Sequence, residues 1–178
     1  MRIIAGDLKG RRLATPRDNK VRPTSDKVKE AIFNMISGCY EDEVVADIFA
    51  GTGNLGLEAI SRGASHCYFG DKSKDSLALV RENVNTCRVE DQATIIWGDC
   101  HMVLKRIPQK VQVIFLDPPY QDGLMISCIE KIQELGLLAE DGCIVAEHSL
   151  EEKLPEAIGA FEKLKEKRYG KIAVSIYG

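Results

Sequence analysis

The chain has 178 residues, 44% of them apolar and 29% charged, and a net charge of −3. That length suits one domain with a small appendage and is enough to bury a sizeable core, and the composition is that of a soluble globular chain. No apolar run approaches the roughly 20 residues of a membrane helix, and the first residues, MRIIAGDLKGRR, lack the apolar stretch of an export signal, so a cytoplasmic protein is expected.

The charge is unevenly spread. Residues 1–30 carry nine Lys and Arg against four acids, a local +5, so the other 148 residues sum to −8. A basic arm on an acidic body suits a polyanionic partner, because phosphate neutralisation is local. A solvated charged tail explains the same numbers. Six cysteines (39, 67, 87, 100, 128 and 143) are scattered, with no Cys-x-x-Cys pair and no histidine in ligand spacing. They read as small, half-buried residues in a reducing compartment, with neither a disulfide frame nor a metal site expected.

In chain order, RIIAG and RRLAT flank the turn-rich DLKG and predict a hairpin. Pro16 and Pro23 bracket a polar connector. Thr24-Ser25-Asp26 then offers a helix N-cap, followed by apolar residues at 28, 31, 32, 35 and 36 that form one buried stripe. From residue 44 strands and helices alternate. The predicted strands are 44–49, 66–71, 93–99, 111–117 and 143–148, and the predicted helices are 54–62, 75–86, 100–106 and 123–135. The tail FEKLKEKRYGKIAVSIY predicts two antiparallel strands meeting at Tyr169-Gly170. This alternation implies a doubly wound α/β sheet, with a ligand outside the C-terminal strand ends where the strand order switches.

Three acidic residues fall at successive strand ends. Asp47 precedes the glycine loop Phe49-Ala50-Gly51-Thr52-Gly53, which opens a helix. Glycines there let the backbone approach a ligand. A G-x-G-x-x-G pattern alone is weak, since dinucleotide enzymes share it. The carboxylate of Asp47, however, suits a ligand bearing an ammonium or sulfonium and would repel a pyrophosphate, which favours S-adenosylmethionine. Asp71, with Lys72 after it, lies about 20 residues on, where an acid bonds ribose hydroxyls. A plain Asp71-Lys72-Ser73 turn also accounts for it. Asp99 precedes Cys100 and is placed to accept from an adenine amino group, or to cap the following helix, or both.

The fourth body strand ends in Asp117-Pro118-Pro119-Tyr120. The two prolines stiffen the loop. An exocyclic amine on a base is a poor nucleophile because its lone pair is delocalised. If the Asp117 side chain and the Pro118 carbonyl accept its two N–H bonds, the lone pair can turn towards a methyl donor, while Tyr120 stacks on the extruded base. A merely stiff turn is the bland alternative.

On these residues the chain resembles the RsmD family, bacterial methyltransferases acting on guanine N2 of 16S ribosomal RNA. The resemblance runs through RIIAGDLKGRRL, RPTSDKVKEAIFNMI, DIFAGTGNLGLEAISRGA, FLDPPY and KRYGK. It implies a class I S-adenosylmethionine-dependent methyltransferase fold: a Rossmann-like, mostly parallel seven-stranded sheet with an antiparallel last strand. A small N-terminal hairpin and helix extension (residues 1–40) would contact RNA beside the methyltransferase domain (residues 41–178). It also implies a 30S particle, assembled or partly assembled, as substrate. Asp47, Phe49, Gly51, Thr52 and Gly53 fall on the cofactor's methionine side, Asp71 and Lys72 on its ribose, and Asp99 and Cys100 on its adenine. Arg22, Pro23 and Thr24 match the family's RPT signature beside the active site. Two departures stand out: the family's usual Glu at the ribose position is Asp71 here, and Lys27 and Lys29 replace arginines, keeping charge but losing the bidentate fork for phosphate.

Arg11, Arg12, Arg168 and Tyr169 complete the candidate RNA contacts. His66, His101 and His148 are expected at the surface or at strand ends, and Trp97 in the core. A monomer without a metal is expected. Two rival functions remain: a DNA or RNA adenine-N6 methyltransferase, disfavoured by the absence of a large target-recognition domain, and a non-catalytic RNA-binding assembly protein, disfavoured by the intact Asp117, Pro118 and Tyr120.

Overall fold

The apolar runs form the strands that carry the site, and alternate side chains divide between two cores. In β1 (Val44–Asp47) and β4 (Val111–Leu116), Val45, Val113 and Phe115 enter one apolar layer, and Ala46, Ile114 and Leu116 the other. Strands buried on both faces need helices on both faces. The computed structural model supplies them; it describes residues 1–17, 24–120 and 123–178.

On the first face lie α1 (Asp26–Met35), α2 (Asn54–Ser61) and α3 (Lys74–Cys87); on the second lie α4 (Cys100–Arg106) and α5 (Leu124–Leu135). The other strands are β2 (His66–Asp71), β3 (Ala93–Trp97), β5 (Leu138–Ser149), β6 (Ala157–Ile158), β7 (Phe161–Tyr169) and β8 (Ile172–Tyr177). The sheet order is β3-β2-β1-β4-β5-β8-β7-β6. β1 to β5 pair in parallel, while β8 pairs antiparallel with both β5 and β7. β7 therefore runs with the parallel set, and β8 alone among the seven longer strands opposes it. This is the expected class I methyltransferase sheet, with the two-residue β6 added at its edge. The order reverses between β1 and β4, so the switch point lies beside Asp47 and Asp117.

β5 begins five residues before the predicted strand. Its pairing with β4 shifts register between Val111 and Val113, and Asp141 lies at φ 62° within the shifted stretch, so the turn-like Glu140-Asp141-Gly142 is accommodated as an irregularity inside the strand.

The N-terminal segment forms the expected narrow hairpin. Arg2 bridges Arg12, the Ile3 N–H donates to the Arg11 carbonyl at 2.9 Å, and the Leu13 N–H donates to the Met1 carbonyl at 3.0 Å. Its apolar residues Ile3 and Leu13 are buried in the same layer as Val28, Ile32 and Phe33 of α1. Gly6, at φ 86°, lies so close to Ser61 that a Cβ there would run into the Ser61 carbonyl.

A buried ionic knot fastens this segment to α2. The Lys29 ammonium lies 2.9 Å from Glu58, with both side chains fully buried, and donates at 2.7 Å to the Arg2 carbonyl and to Asn54 Oδ1. Glu58 also accepts from the Ile4 and Ala5 N–H groups and from Arg62. Lys29 is thus turned inward, correcting its expected place among phosphate contacts. Trp97 is also corrected. Its ring is 52% exposed, its indole N–H donates to the Lys72 carbonyl at 3.0 Å, and the Lys74 ammonium lies 4.5 Å from its centroid.

Candidate active site

Each of the three strand-end acids Asp47, Asp71 and Asp99 accepts from backbone N–H groups of a nearby loop or helix start. Asp47, buried at the end of β1, accepts from the Gly56 N–H at 3.0 Å. Burial pushes its carboxyl up to about 7 against the pull of that hydrogen bond, with Asp71 and Glu147 adding repulsion. Asp71 accepts from Gly51 at 3.0 Å through one oxygen and from Ser73 at 2.9 Å through the other. The expected turn and an acid at the ligand loop are therefore the same carboxylate. Asp99 is exposed and caps α4, accepting from the Met102 N–H at 2.9 Å.

Gly51 and Gly53 sit at φ 59° and 84°, in the region that favours glycine, and a Cβ at Gly56 would strike the Phe69 ring, so α2 packs directly on β2. The loop borders a cavity of about 360 Å³ also lined by Asp47, Phe49, Thr52, Asp71 and Lys72. A second cavity of about 240 Å³ is lined by Phe49, Lys72, Asp99, Cys100 and Pro119. Phe49, Lys72 and Pro119 border both. Gly53 lies behind the loop; a Cβ there would touch Leu57, Phe69 and Val80.

Asp117, Pro118 and Pro119 line the larger cavity, and Tyr120 is 77% exposed. The Asp117 carboxyl is held well above the usual carboxylate range by desolvation, then by a hydrogen bond with Glu147 and the charges of Glu147 and Asp47. Glu147 is a site residue that the motif reading missed. It is only 6% exposed in β5 and also accepts from the Thr24 hydroxyl, with oxygens at 3.2 and 3.4 Å. Its signal was a lone acid near the end of the apolar run CIVAEH, in the manner of Asp47 and Asp71.

Asn83 was missed as well. Fully buried on α3, it donates to the Thr52 carbonyl at 2.8 Å and exchanges hydrogen bonds with the Ala14 backbone, so it ties the N-terminal segment to the glycine loop.

The expected RNA contacts lie in different places. Thr24 lines the larger cavity. Arg11 is exposed but donates to the Thr86 carbonyl at 3.1 Å, and Arg12 is exposed beside it. Arg168 and the half-buried Tyr169 end β7, on the same carboxyl-end side of the sheet as the loops. Arg22 and Pro23 lie outside the described residues. The fold brings Cys100 and Cys128 together, with sulfurs 2.8 Å apart and His101 close by. The linear reading of scattered cysteines could not see this pair. One ligand atom from each of Cys100, His101 and Cys128 lies within 4.8 Å of the others, a donor set that could hold a metal ion. His101 bonds Ser127, His66 bonds Thr94, and His148, near the end of β5, is buried against Ser175.

A family model described as "Conserved hypothetical protein 95" matches residues 1–178. "Putative rRNA methyltransferase YlbH" of Bacillus subtilis (strain 168) is 39% identical over 180 residues, covering 99% of this chain and 98% of that one. "Ribosomal RNA small subunit methyltransferase D" of Escherichia coli (strain K12) is 30% identical over 177 residues, covering 99% and 89%. The chain belongs to the RsmD family. A solved structure titled "Putative methyltransferase yhhF from Escherichia coli" superposes with a TM-score of 0.89 at 29% identity, covering 99% of this chain and 96% of that one. The matches span nearly all of this chain, N-terminal hairpin included.

Proposed function

We propose that this protein is an rRNA methyltransferase that transfers a methyl group from S-adenosylmethionine to the exocyclic N2 of one guanine in 16S rRNA, acting as a monomer on an assembled or partly assembled 30S particle. One observation carries the reading: the Asp117-Pro118-Pro119 loop and the acid-lined glycine loop open onto the same cavity. The names of the relatives support RNA of the small subunit as the substrate.

The residues present fit the cofactor. Asp47 offers a carboxylate to its cationic end, Asp71 and Lys72 border the middle, and Asp99 with Cys100 borders the second cavity. When bound, S-adenosylmethionine supplies an electrophilic methyl on a sulfonium. The protein's part is positioning. Asp117 and the Pro118 carbonyl accept the two amine N–H bonds, the prolines hold that pair rigid, and Tyr120 stacks on the base. Thr24 lines the cavity, and Arg11, Arg12, Arg168 and Tyr169 engage the RNA around it.

A tritiated-methyl transfer assay on 30S particles and on naked DNA tests this. Label is expected in 16S rRNA and is expected to vanish with Asp117→Ala. Label in DNA alone would establish the adenine-N6 reading instead.

A further inference from the structure

We propose that Glu147 is a positioning residue for the reaction: it shares a proton with Asp117, holds that carboxyl in place, and turns the pair into the acceptor for the proton the amine must lose. The proposal rests on the reading of Asp117 given above.

The geometry is specific. Two carboxyl groups joined by a hydrogen bond need a proton between them, because two carboxylate oxygens offer only lone pairs. Asp117 and Glu147 are so joined. They follow from adjacent parallel strands, β4 and β5, whose register pairs Leu116 with Ala146. Strand pairing, not a flexible loop, therefore sets their separation. The Thr24 hydroxyl donates to Glu147 from the segment ahead of α1. That donor ties Thr24 to the carboxyl beside Asp117. The other charged group acting on Asp117 is Asp47 of β1, itself repelled by Asp71 of β2. From β8, the residue at the register of Glu147 is the apolar Val174, and the neighbouring His148 bonds Ser175.

Glu147 does not line the cavity that Asp117 lines, so it acts through Asp117. In the free protein the pair carries one proton and one negative charge. When the amine nitrogen attacks, an N–C bond forms and the S–C bond breaks, its electron pair staying on sulfur. The nitrogen then loses a proton to Asp117, and the N–H electron pair returns to nitrogen. The pair goes from one proton to two, so the sulfonium's positive charge and the pair's negative charge disappear together. A lone Asp117 would have to hold the amine and take its proton with no partner to receive the proton it already carries.

The test is a carbon-13 carboxyl NMR titration of the full chain without cofactor, in wild type, Glu147→Gln and Glu147→Asp. Glu147→Gln keeps the shape but removes a negative charge, so Asp117 should titrate at a pH lower by about one unit or more. Glu147→Asp, which restores a carboxyl, should move part of the way back. An Asp117 titration unchanged in Glu147→Gln would overturn the proposal. If Glu147→Gln fails to fold, Thr24→Val serves. It removes the donor to Glu147 and should raise the pH at which the pair loses its last proton; no change there would also overturn the proposal. In turnover, Glu147→Gln should lower kcat about tenfold or more, move the acidic limb of the kcat profile to higher pH, because a lone Asp117 must lose its own proton before it can accept one, and leave KM for 30S particles unchanged. A uniform loss with an unmoved limb would mean that Glu147 is only structural. A shifted titration in a protein that methylates no guanine would sink the functional reading while leaving the carboxyl pair intact, so the two failures are distinguishable.

Discussion

Asp117 and Asp47 hold carboxyl groups in surroundings that resist ionisation, and each has a measurable consequence. Replacing Asp117 with Ala removes the acceptor proposed for the amine. It should cut turnover by about 10²–10³-fold, the usual scale for losing one preorganised electrostatic partner, while the cofactor Kd stays within about twofold. Single-turnover transfer and calorimetry together check this. Asp47, raised to about 7, gives a pH dependence of known sign. A cationic ligand binds the ionised form, so affinity is full above pH 7 and falls as the pH drops through 7, by at most about tenfold per unit. Calorimetric titrations with S-adenosylmethionine at pH 8, 7 and 6 should show that decline, and a flat affinity would remove Asp47 from the cationic end. Asp47, Asp71, Asp99 and the Asp117 loop were legible in the sequence because each closes an apolar run with its own turn chemistry. Glu147 and Thr24 are separated by 123 residues, and Cys100 and Cys128 by 28, so only strand order and helix packing bring them together.

At the scale of elements, the periodic segments were readable because burial on one helical stripe or on both strand faces leaves a pattern in the chain. The exceptions were polar residues standing on an apolar stripe. Lys29 follows Val28 and precedes Ile32 by three, and Asn83 lies between Val80 and Cys87; each is fully buried and bonded to a different element. Such residues are knots between elements, and pattern alone reads them as solvent-facing. Lys29→Met should strand Glu58 with less than its full set of partners inside the fold. The expected cost is about 3 kcal/mol, which for a chain of this size lowers Tm by about 6–12 °C. Thermal unfolding followed by circular dichroism checks this, and an unchanged Tm would show that Arg62 and the Ile4 and Ala5 N–H groups alone satisfy Glu58. Trp97 failed the same pattern in the opposite sense. At the outer strand of the sheet its ring turns outward over Lys74 and Lys72, because β3 has a neighbour on one side only.

Over the whole molecule, the basic N-terminal segment is fastened to the methyltransferase body by a shared apolar layer, the Lys29–Glu58 pair and Asn83, so its charge is presented at a fixed place. Lys29 is spent on that fastening, whereas Arg11 and Arg12 are exposed and carry the proposed phosphate contacts. Neutralising Arg11 and Arg12 to Gln should weaken RNA binding and reduce the slope of log K against log salt by about 1 for each phosphate that is no longer neutralised, with cofactor affinity unmoved. An unchanged slope would make the segment a structural brace alone. No helix among the described residues is long and apolar enough to cross a membrane. The fold, the strand-end loops and the family follow from residues that the sequence displays openly; the proposal of guanine N2 rests on family likeness and on the chemistry of the Asp117 loop. The most direct measurement is a mass-spectrometric map of methylated guanines in 16S rRNA from cells with and without this protein. One guanine should lose its N2-methyl group when the protein is absent and regain it with wild type but not with Asp117→Ala; an identical map in both cells would contradict the assignment.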